Sequence, residues 1–268
     1  MMRLSAARSR FVVALAEALR FYSRLPVPRL PAETPLTQEA LDFPKIAPAI
    51  PVAGALIGAI AALAILLAHA LGFGTLVAAT LAVATGMAVT GALHEDGLAD
   101  AADGFFVKAS RERRLEIMRD SRLGTFGGLA LIMTALLRVA LIADLALDGP
   151  RAVAMALIAA AALSRAAGLM PLALLFPARR DGAGATAGRL PVTAFTHAVL
   201  IGCAIAIVFA LVGKFGALRA LGACGAALLA AWGVSALAEH KIGGQTGDVA
   251  GAAQVACELV CYLVLAIG

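Results

Sequence analysis

Long apolar stretches alternate with short polar ones along most of the chain. Each stretch is long enough to cross a hydrocarbon layer roughly 30 Å thick as an α-helix. Alanine and glycine dominate them, which is typical of helices that pack closely in lipid. The pattern predicts an all-α, polytopic membrane bundle with about seven transmembrane helices, at 48–71, 74–93, 124–146, 151–176, 191–213, 217–238 and 249–268.

The N-terminal segment has a different pattern. Glu17 and Arg20 interrupt its apolar run, and no small-residue cleavage site follows it, so a signal peptide is disfavoured. We interpret it as an amphipathic helix at the membrane interface, ended by Pro26 and Pro28. The expected organisation is one membrane domain over 1–268, with an amphipathic segment at 1–47 and a transmembrane bundle at 48–268.

Composition and charge support this interpretation. The 268 residues are 62% hydrophobic with a mean hydropathy of +0.93, whereas a soluble domain is about 45–50% apolar. The net charge is +5, and the segments before the first span and at 94–123, 177–190 and 239–248 carry 7, 6, 3 and 1 Lys or Arg residues, against three on the opposite side. This bias predicts that these segments face the cytoplasm, in a multi-pass protein of the cell inner membrane. Membrane topology thus explains the basic excess without a nucleic-acid partner, and the lipid bilayer is the expected surrounding.

The stretch "TGALHEDGLADAADGFF", at 90–106, places four carboxylates at the end of an apolar span. If the helix that begins near 74 continues through it, Asp96, Asp100 and Asp103 have i, i+4, i+7 spacing and share one face. Glu95 lies roughly 100° away. A solvated acidic face is one interpretation. The membrane-boundary position favours a magnesium site among the three aligned carboxylates, because Mg²⁺ prefers carboxylate oxygens, with Glu95 serving a neighbouring ligand or supporting the site from behind.

Two arginine-containing stretches on the same predicted side are candidates for phosphate binding. "RDSRLGTFGG" brings two guanidinium groups to the start of a helix, where backbone N–H groups bind anions; a helix cap with close packing is the alternative. "ARRDGAGATAG" resembles either a second phosphate-binding loop or a flexible linker. The candidate substrate-binding residues here are Arg119, Asp120, Ser121, Arg122, Gly124, Arg179 and Arg180.

The stretch "GGQTGD" precedes the last predicted helix. Gly244 and Gly247 allow close backbone approach, and Thr246 is a third candidate for substrate contact. Asp248 is either the N-cap of the following helix or a further metal ligand beside the acidic stretch.

Two further residues are candidates because of their position. Arg165 lies within an apolar span, where an arginine requires a partner or a wet cavity. His94 adjoins the acidic stretch and is a candidate proton acceptor. From the residues alone we predict metal-assisted phosphoryl or phosphodiester transfer. A cation-coupled transporter is the alternative, although transporter acids usually lie near the middle of the membrane.

Four motifs together resemble the cobalamin synthase family, the adenosylcobinamide-GDP ribazoletransferases. They are "HEDGLADAADGFF", "RDSRLGTFGG", "LSRAAGLMP" and "GGQTGDVAGAAQ". The likeness begins at the N-terminal "FYSRLPVP" and extends to the last helix, so that it covers nearly the whole chain.

The resemblance implies an integral membrane enzyme that joins adenosylcobinamide-GDP to α-ribazole or α-ribazole 5′-phosphate and releases GMP, with Mg²⁺. It implies metal binding by the acidic motif and Asp248, and catalytic roles for His94, Asp96, Asp100 and Asp103. The acidic motif is also loosely similar to that of the CDP-alcohol phosphotransferases, although Ala101 and Ala102 replace the arginine expected there. Self-association, association with other enzymes of nucleotide-loop assembly and the identity of a general base stay open.

Overall fold

The computed structural model describes residues 2–31, 42–179 and 188–267. Within these ranges the regular secondary structure is helical, and strand pairing is limited to one isolated bridge between Pro177 and Gln245. The helices are α1 (Met2–Tyr22), α2 (Phe43–Ile46), α3 (Ile50–Ala70), α4 (Thr75–Thr90), α5 (Leu93–Phe106), α6 (Arg111–Ile117), α7 (Thr125–Leu145), α8 (Pro150–Ala167), α9 (Met170–Leu174), α10 (Val192–Val212), α11 (Ala217–Ile242) and α12 (Gly247–Ala266).

The predicted membrane spans are confirmed with small shifts at their ends. Six helical units are long and apolar enough to cross a membrane, and α4 with α5 forms a seventh as a bent pair. The six units are Phe43–Ala70, Thr125–Asp148, Pro150–Leu174, Val192–Val212, Ala217–Ile242 and Gly247–Ala266. The chain is therefore a polytopic helical bundle.

Helix α8 lies at the centre of this bundle. The span that contains it is 89% buried, whereas the span of α10 is 22% buried and presents leucines outward, as a lipid-facing helix does. Helix α3 approaches α8 closely because glycines line their contact: a Cβ on Gly58 would lie 2.7 Å from the Cβ of Ala161, and one on Gly54 would overlap the Ala161 carbonyl oxygen. Two glycines four residues apart thus allow the close packing of α3 against α8.

The expected interfacial helix is present as α1, although it ends at Tyr22, before both prolines. Its buried positions include Ala14, Ala18 and Tyr22, which pack with Phe43 of α2 in one apolar cluster. After α1 the chain runs to the end of α4, where the Arg24 N–H donates to the Val89 carbonyl oxygen at 2.7 Å. The N-terminal segment therefore covers the end of the bundle that carries the acidic stretch.

Candidate functional site

The acidic helix α5 does not continue α4. Gly91 and Ala92 both have left-handed backbone conformations, with φ of 65° and 56°, and the two helices meet at 89°. Gly91 ends α4 by donating its N–H to the Ala88 carbonyl oxygen at 3.3 Å. Helix α5 therefore runs at nearly a right angle to α4, across the end of the bundle. The expectation of one continuous helix is therefore wrong, but the i, i+4, i+7 spacing holds within α5.

Helix α12 crosses α5 at glycines. A Cβ on Gly97 would lie 3.0 Å from both the Cα and the carbonyl oxygen of Asp248, and a Cβ on Gly251 would lie 3.3 Å from the His94 carbonyl oxygen. The absence of a side chain at Gly97 therefore lets the N-terminus of α12 approach α5 closely. This crossing brings the start of α12, with Asp248, beside the acidic face of α5.

Three carboxylates form the acidic part of the site: Asp96, Asp100 and Asp248. Burial, and then the charges of Asp248, Asp96 and Asp103, raise the pKa of Asp100 to about 7. Asp248 accepts a hydrogen bond from the Thr246 hydroxyl at 3.1 Å. It also forms an ion pair of 3.3 Å with Arg179. The cluster therefore contains more negative charge than its one arginine offsets.

Asp103 has a different position from the one that the sequence suggests. Its carboxylate accepts hydrogen bonds from the N–H groups of Gly124, at 2.8 Å, and Gly127, at 2.9 Å. These are N-terminal N–H groups of α7, so Asp103 caps that helix across 21 residues of sequence. The same N–H groups were the predicted phosphate cradle, and in this arrangement Asp103 occupies them instead.

Glu95 points into the bundle, where it forms an ion pair with Arg138 of α7. Arg138 also contacts Glu258 of α12 at 2.7 Å. Glu258 accepts further hydrogen bonds from Tyr262 at 3.1 Å and from Gln254 at 3.4 Å. The sequence interpretation missed this network, although charged residues within the apolar spans at 124–146 and 249–268 were a signal for it.

The stretch 119–122 faces the acidic helix across an open groove. The groove has a volume of about 830 Å³, and the segment after α1 forms a third side. Asp120 and Arg122 form a two-point ion pair, with the Arg122 Nε donating to both carboxylate oxygens at 2.9 and 3.1 Å. This arginine holds the pKa of Asp120 at about 2. Residues lining the groove include Asp96, Asp100, Arg119, Asp120, Ser121 and Arg122.

The segments 176–179 and 243–246 lie against each other at the same end of the bundle. The Ala178 N–H donates to the Gln245 carbonyl oxygen at 2.8 Å, and the Gln245 N–H donates to the Phe176 carbonyl oxygen at 2.9 Å. A Cβ on Gly244 would overlap that Phe176 oxygen, so the pairing requires glycine there. It holds Arg179 over Asp248, whereas Arg180 lies outside the described residues.

Thr246, and not Asp248, is the N-cap of α12. Its side-chain oxygen accepts a hydrogen bond from the Val249 N–H at 3.3 Å, and Gly247 is the first helical residue. Asp248 is thereby free of the capping role that sequence left open. Its carboxylate is instead held by Thr246 and Arg179 at the border of the site.

A second cavity, of about 140 Å³, lies between α1, α5, α8 and α12. His94 and Arg165 both line it, and both are buried. The His94 ring stacks on Tyr22 with 5.6 Å between ring centroids. Arg165 therefore faces a cavity, as expected for an arginine within a span, and the cavity extends to Asp96 and Asp248.

Among the described residues, no group of three or more His, Cys, Asp or Glu side chains is already arranged around a point where a metal could bind. Of the five predicted ligands, Glu95 is paired with Arg138 and Asp103 caps α7. Asp96, Asp100 and Asp248 line the cavities and, unlike Glu95 and Asp103, are neither paired with Arg138 nor used to cap α7. The donor chemistry of these three suits a hard cation such as Mg²⁺.

Comparison with known proteins identifies the family. The sequence model described as cobalamin-5-phosphate synthase matches residues 14–266. The chain belongs to the cobalamin-5-phosphate synthase family. Its similar relatives include three proteins named adenosylcobinamide-GDP ribazoletransferase. The protein from Azorhizobium caulinodans is 51% identical over 94% of each chain. The one from Xanthobacter autotrophicus is 46% identical over 93% of this chain and 94% of its own.

The third, from Allorhizobium ampelinum, is 42% identical over 96% of this chain and 97% of its own. No solved structure matches. The match to the cobalamin-5-phosphate synthase family confirms the resemblance carried by the four motifs, and all four lie within the matched residues.

Proposed function

We propose that this chain is an adenosylcobinamide-GDP ribazoletransferase, which joins adenosylcobinamide-GDP to α-ribazole or its 5′-phosphate and releases GMP. Relatives of similar length carry this name, at up to 51% identity. The observation on this chain that supports it is the open groove in which an acidic helix faces two arginines. Acids and arginines at one membrane face are the combination that transfer at a diphosphate requires.

The groove is the proposed site for adenosylcobinamide-GDP. Its volume of about 830 Å³ is within the range of roughly 300–1,000 Å³ that is typical of small-molecule sites. Arg119 and Arg122 line one wall and would contact phosphate oxygens, since guanidinium groups bind phosphates through two parallel hydrogen bonds. Asp96 and Asp100 line the same groove.

We propose that Asp96, Asp100 and Asp248 hold the metal ion. Burial first, and then repulsion from Asp248 and Asp96, raise the pKa of Asp100, and a cation bound between the three carboxylates would relieve that repulsion. Mg²⁺, when bound, neutralises the charge that develops on the departing nucleotide. Arg179 remains beside Asp248 and would orient that carboxylate or contact a phosphate.

His94 is the proposed acceptor of the ribazole hydroxyl proton. Its Nε2 is buried and has no hydrogen-bond partner among the described residues. A neutral imidazole offers one nitrogen that accepts a proton. Because His94 and Asp96 line the same cavity, a hydroxyl bound there would lie near both an acceptor and the acidic cluster.

The proposed orientation places this site at the cytoplasmic face of the inner membrane. The groove, the pairing of 176–179 with 243–246 and the end of α1 lie at one end of the bundle. This end also carries the basic residues of the N-terminal segment and of 94–123, and segments rich in Lys and Arg face the cytoplasm.

The test is GMP release by the purified chain in proteoliposomes. We expect GMP from adenosylcobinamide-GDP and α-ribazole 5′-phosphate with Mg²⁺, and none with EDTA. Asp100→Asn should abolish turnover, whereas the control Asp148→Asn, an exposed carboxylate outside the site, should not. Wild-type turnover by Asp100→Asn would remove the metal assignment. Release of CMP from a CDP-alcohol, or ion flux without GMP, would favour one of the alternative functions.

A further inference from the structure

Arg165 is a buried cation whose donors are incompletely used. Its Nη1 donates to the Ala161 carbonyl oxygen of its own helix at 3.0 Å, and its Nε has no partner. No carboxylate of the described residues forms a salt bridge with it within 4.0 Å. Gly54 of α3 makes room for the side chain, since a Cβ there would lie 3.0 Å from the Arg165 Cδ. An arginine so placed within a span indicates a ligand site.

Two glutamates lie near enough to Arg165 to act on it electrostatically. Glu258 and Glu95 are the carboxylates whose charges act on it. Both are in direct contact with Arg138 and not with Arg165. The two glutamates therefore balance the charges of the two arginines, Arg138 and Arg165, without contacting Arg165. N–H groups of the Arg165 guanidinium thus remain available for a ligand.

The cavity of about 140 Å³ that Arg165 lines has a few polar and charged side chains among mostly apolar and aromatic ones. Arg165, His94 and Gln254 each carry a buried polar atom without a partner among the described residues. Asp96 and Asp248 border the same cavity. Its remaining walls are mostly apolar or aromatic: Phe21, Tyr22, Phe43, Leu93 and Leu172. The three residues that carry these unpartnered atoms therefore line one small space together with Asp96 and Asp248.

We propose that Arg165 binds the phosphate monoester of α-ribazole 5′-phosphate and so determines the preference for this form over α-ribazole. This inference rests on the proposed function and adds the site of the second substrate. The cavity of about 140 Å³ would receive only the phosphorylated ribose part of α-ribazole 5′-phosphate, whereas the groove of about 830 Å³ with Arg119 and Arg122 is available for adenosylcobinamide-GDP. A phosphorylated ribose in the smaller cavity would place its sugar hydroxyls toward Asp96 and His94.

Steady-state kinetics with both ribazole forms test this proposal. Arg165→Gln should raise the KM for α-ribazole 5′-phosphate by about 10- to 100-fold, the loss typical of a hydrogen bond to a charged group. The KM values for α-ribazole and for adenosylcobinamide-GDP should be unchanged. Arg165→Lys should recover part of the preference. Arg219→Gln, on α11, is the matched arginine control, and each variant is checked by size-exclusion chromatography.

A measurement on the wild-type protein covers the case in which Arg165 variants do not fold. Ribose 5-phosphate should inhibit competitively against α-ribazole 5′-phosphate and not against adenosylcobinamide-GDP, whereas ribose should not inhibit. Inhibition that competes with adenosylcobinamide-GDP would overturn the proposal, because the phosphate site would then belong to the nucleotide.

The kinetic outcomes separate this inference from the proposed function. If the wild type releases GMP but Arg165→Gln keeps the preference for α-ribazole 5′-phosphate, or raises the KM for both ribazole forms equally, only the role of Arg165 is refuted. If the wild type releases no GMP with either form, the proposed function fails and this inference fails with it.

Discussion

Removal of the Asp103 carboxylate should destabilise the protein more than it disturbs the metal site. Asp103 accepts two N–H donors, from Gly124 and Gly127, at 2.8 and 2.9 Å. Hydrogen bonds to a charged group contribute about 1.5–3 kcal/mol each. Gly124 is exposed, so that water can replace the hydrogen bond from its N–H when the carboxylate is removed, whereas Gly127 is buried. We therefore expect Asp103→Ala to lower the free energy of unfolding by about 2–4 kcal/mol.

The assay is thermal unfolding in one detergent at one scan rate, because membrane proteins often unfold irreversibly. The expected decrease in Tm is about 5–15 °C. Asp103→Asn keeps one acceptor oxygen and should show about half of this decrease. The matched control is Asp100→Ala, which should melt at or above the wild-type Tm because it relieves repulsion with Asp96 and Asp248. A wild-type Tm for Asp103→Ala, together with complete loss of GMP release in Asp103→Asn, would refute the capping role and favour metal ligation.

Three further predictions follow from the buried contacts and the topology. Arg138→Met leaves two glutamates without their cation and should destabilise the protein by about 3–5 kcal/mol. The measurement is the Tm, compared with that of the exposed control Arg151→Gln, and equal Tm values for the two variants would contradict the network. Gly97→Val should force α12 away from α5, because even a Cβ added at this position would lie 3.0 Å from the Asp248 backbone. GMP release should then be lost although the protein still inserts into the membrane, and retained activity would show that the crossing is not required. Lys108→Cys, in a chain without its native cysteines, should react with an impermeant maleimide only from the cytoplasmic side, and labelling from outside would overturn the orientation.

Much of the fold could be predicted from local pattern. The prediction of a span at 191–213 corresponds to α10 at Val192–Val212, and the other spans agree similarly. This succeeds because a helix needs about 20 consecutive apolar residues to cross a membrane, and that requirement is visible in any single stretch. The spacing of Asp96, Asp100 and Asp103 was also readable, since helical periodicity is local.

The partners of the acidic residues could not be predicted in this way. Glu95 and Arg138 are 43 residues apart, and Arg138 and Glu258 are 120 residues apart. Nothing in the acidic stretch distinguishes Glu95, which pairs with Arg138 inside the bundle, from Asp96, which lines both the groove and the smaller cavity. The bend at Gly91 was likewise missed, because the apolar pattern continues across it.

The amino-acid sequence by itself determined that this chain is a helical membrane protein, which of its loops share a side and which carboxylates are candidates for chemistry. Those properties depend on hydrophobic length, charge bias and residue type, each of which is a property of a local segment. Only the tertiary structure decided that Asp248 joins Asp96 and Asp100, that Asp103 caps a helix and that Arg165 meets a cavity. These outcomes depend on how closely glycine-lined helices pack, and such packing joins residues that are distant in the chain.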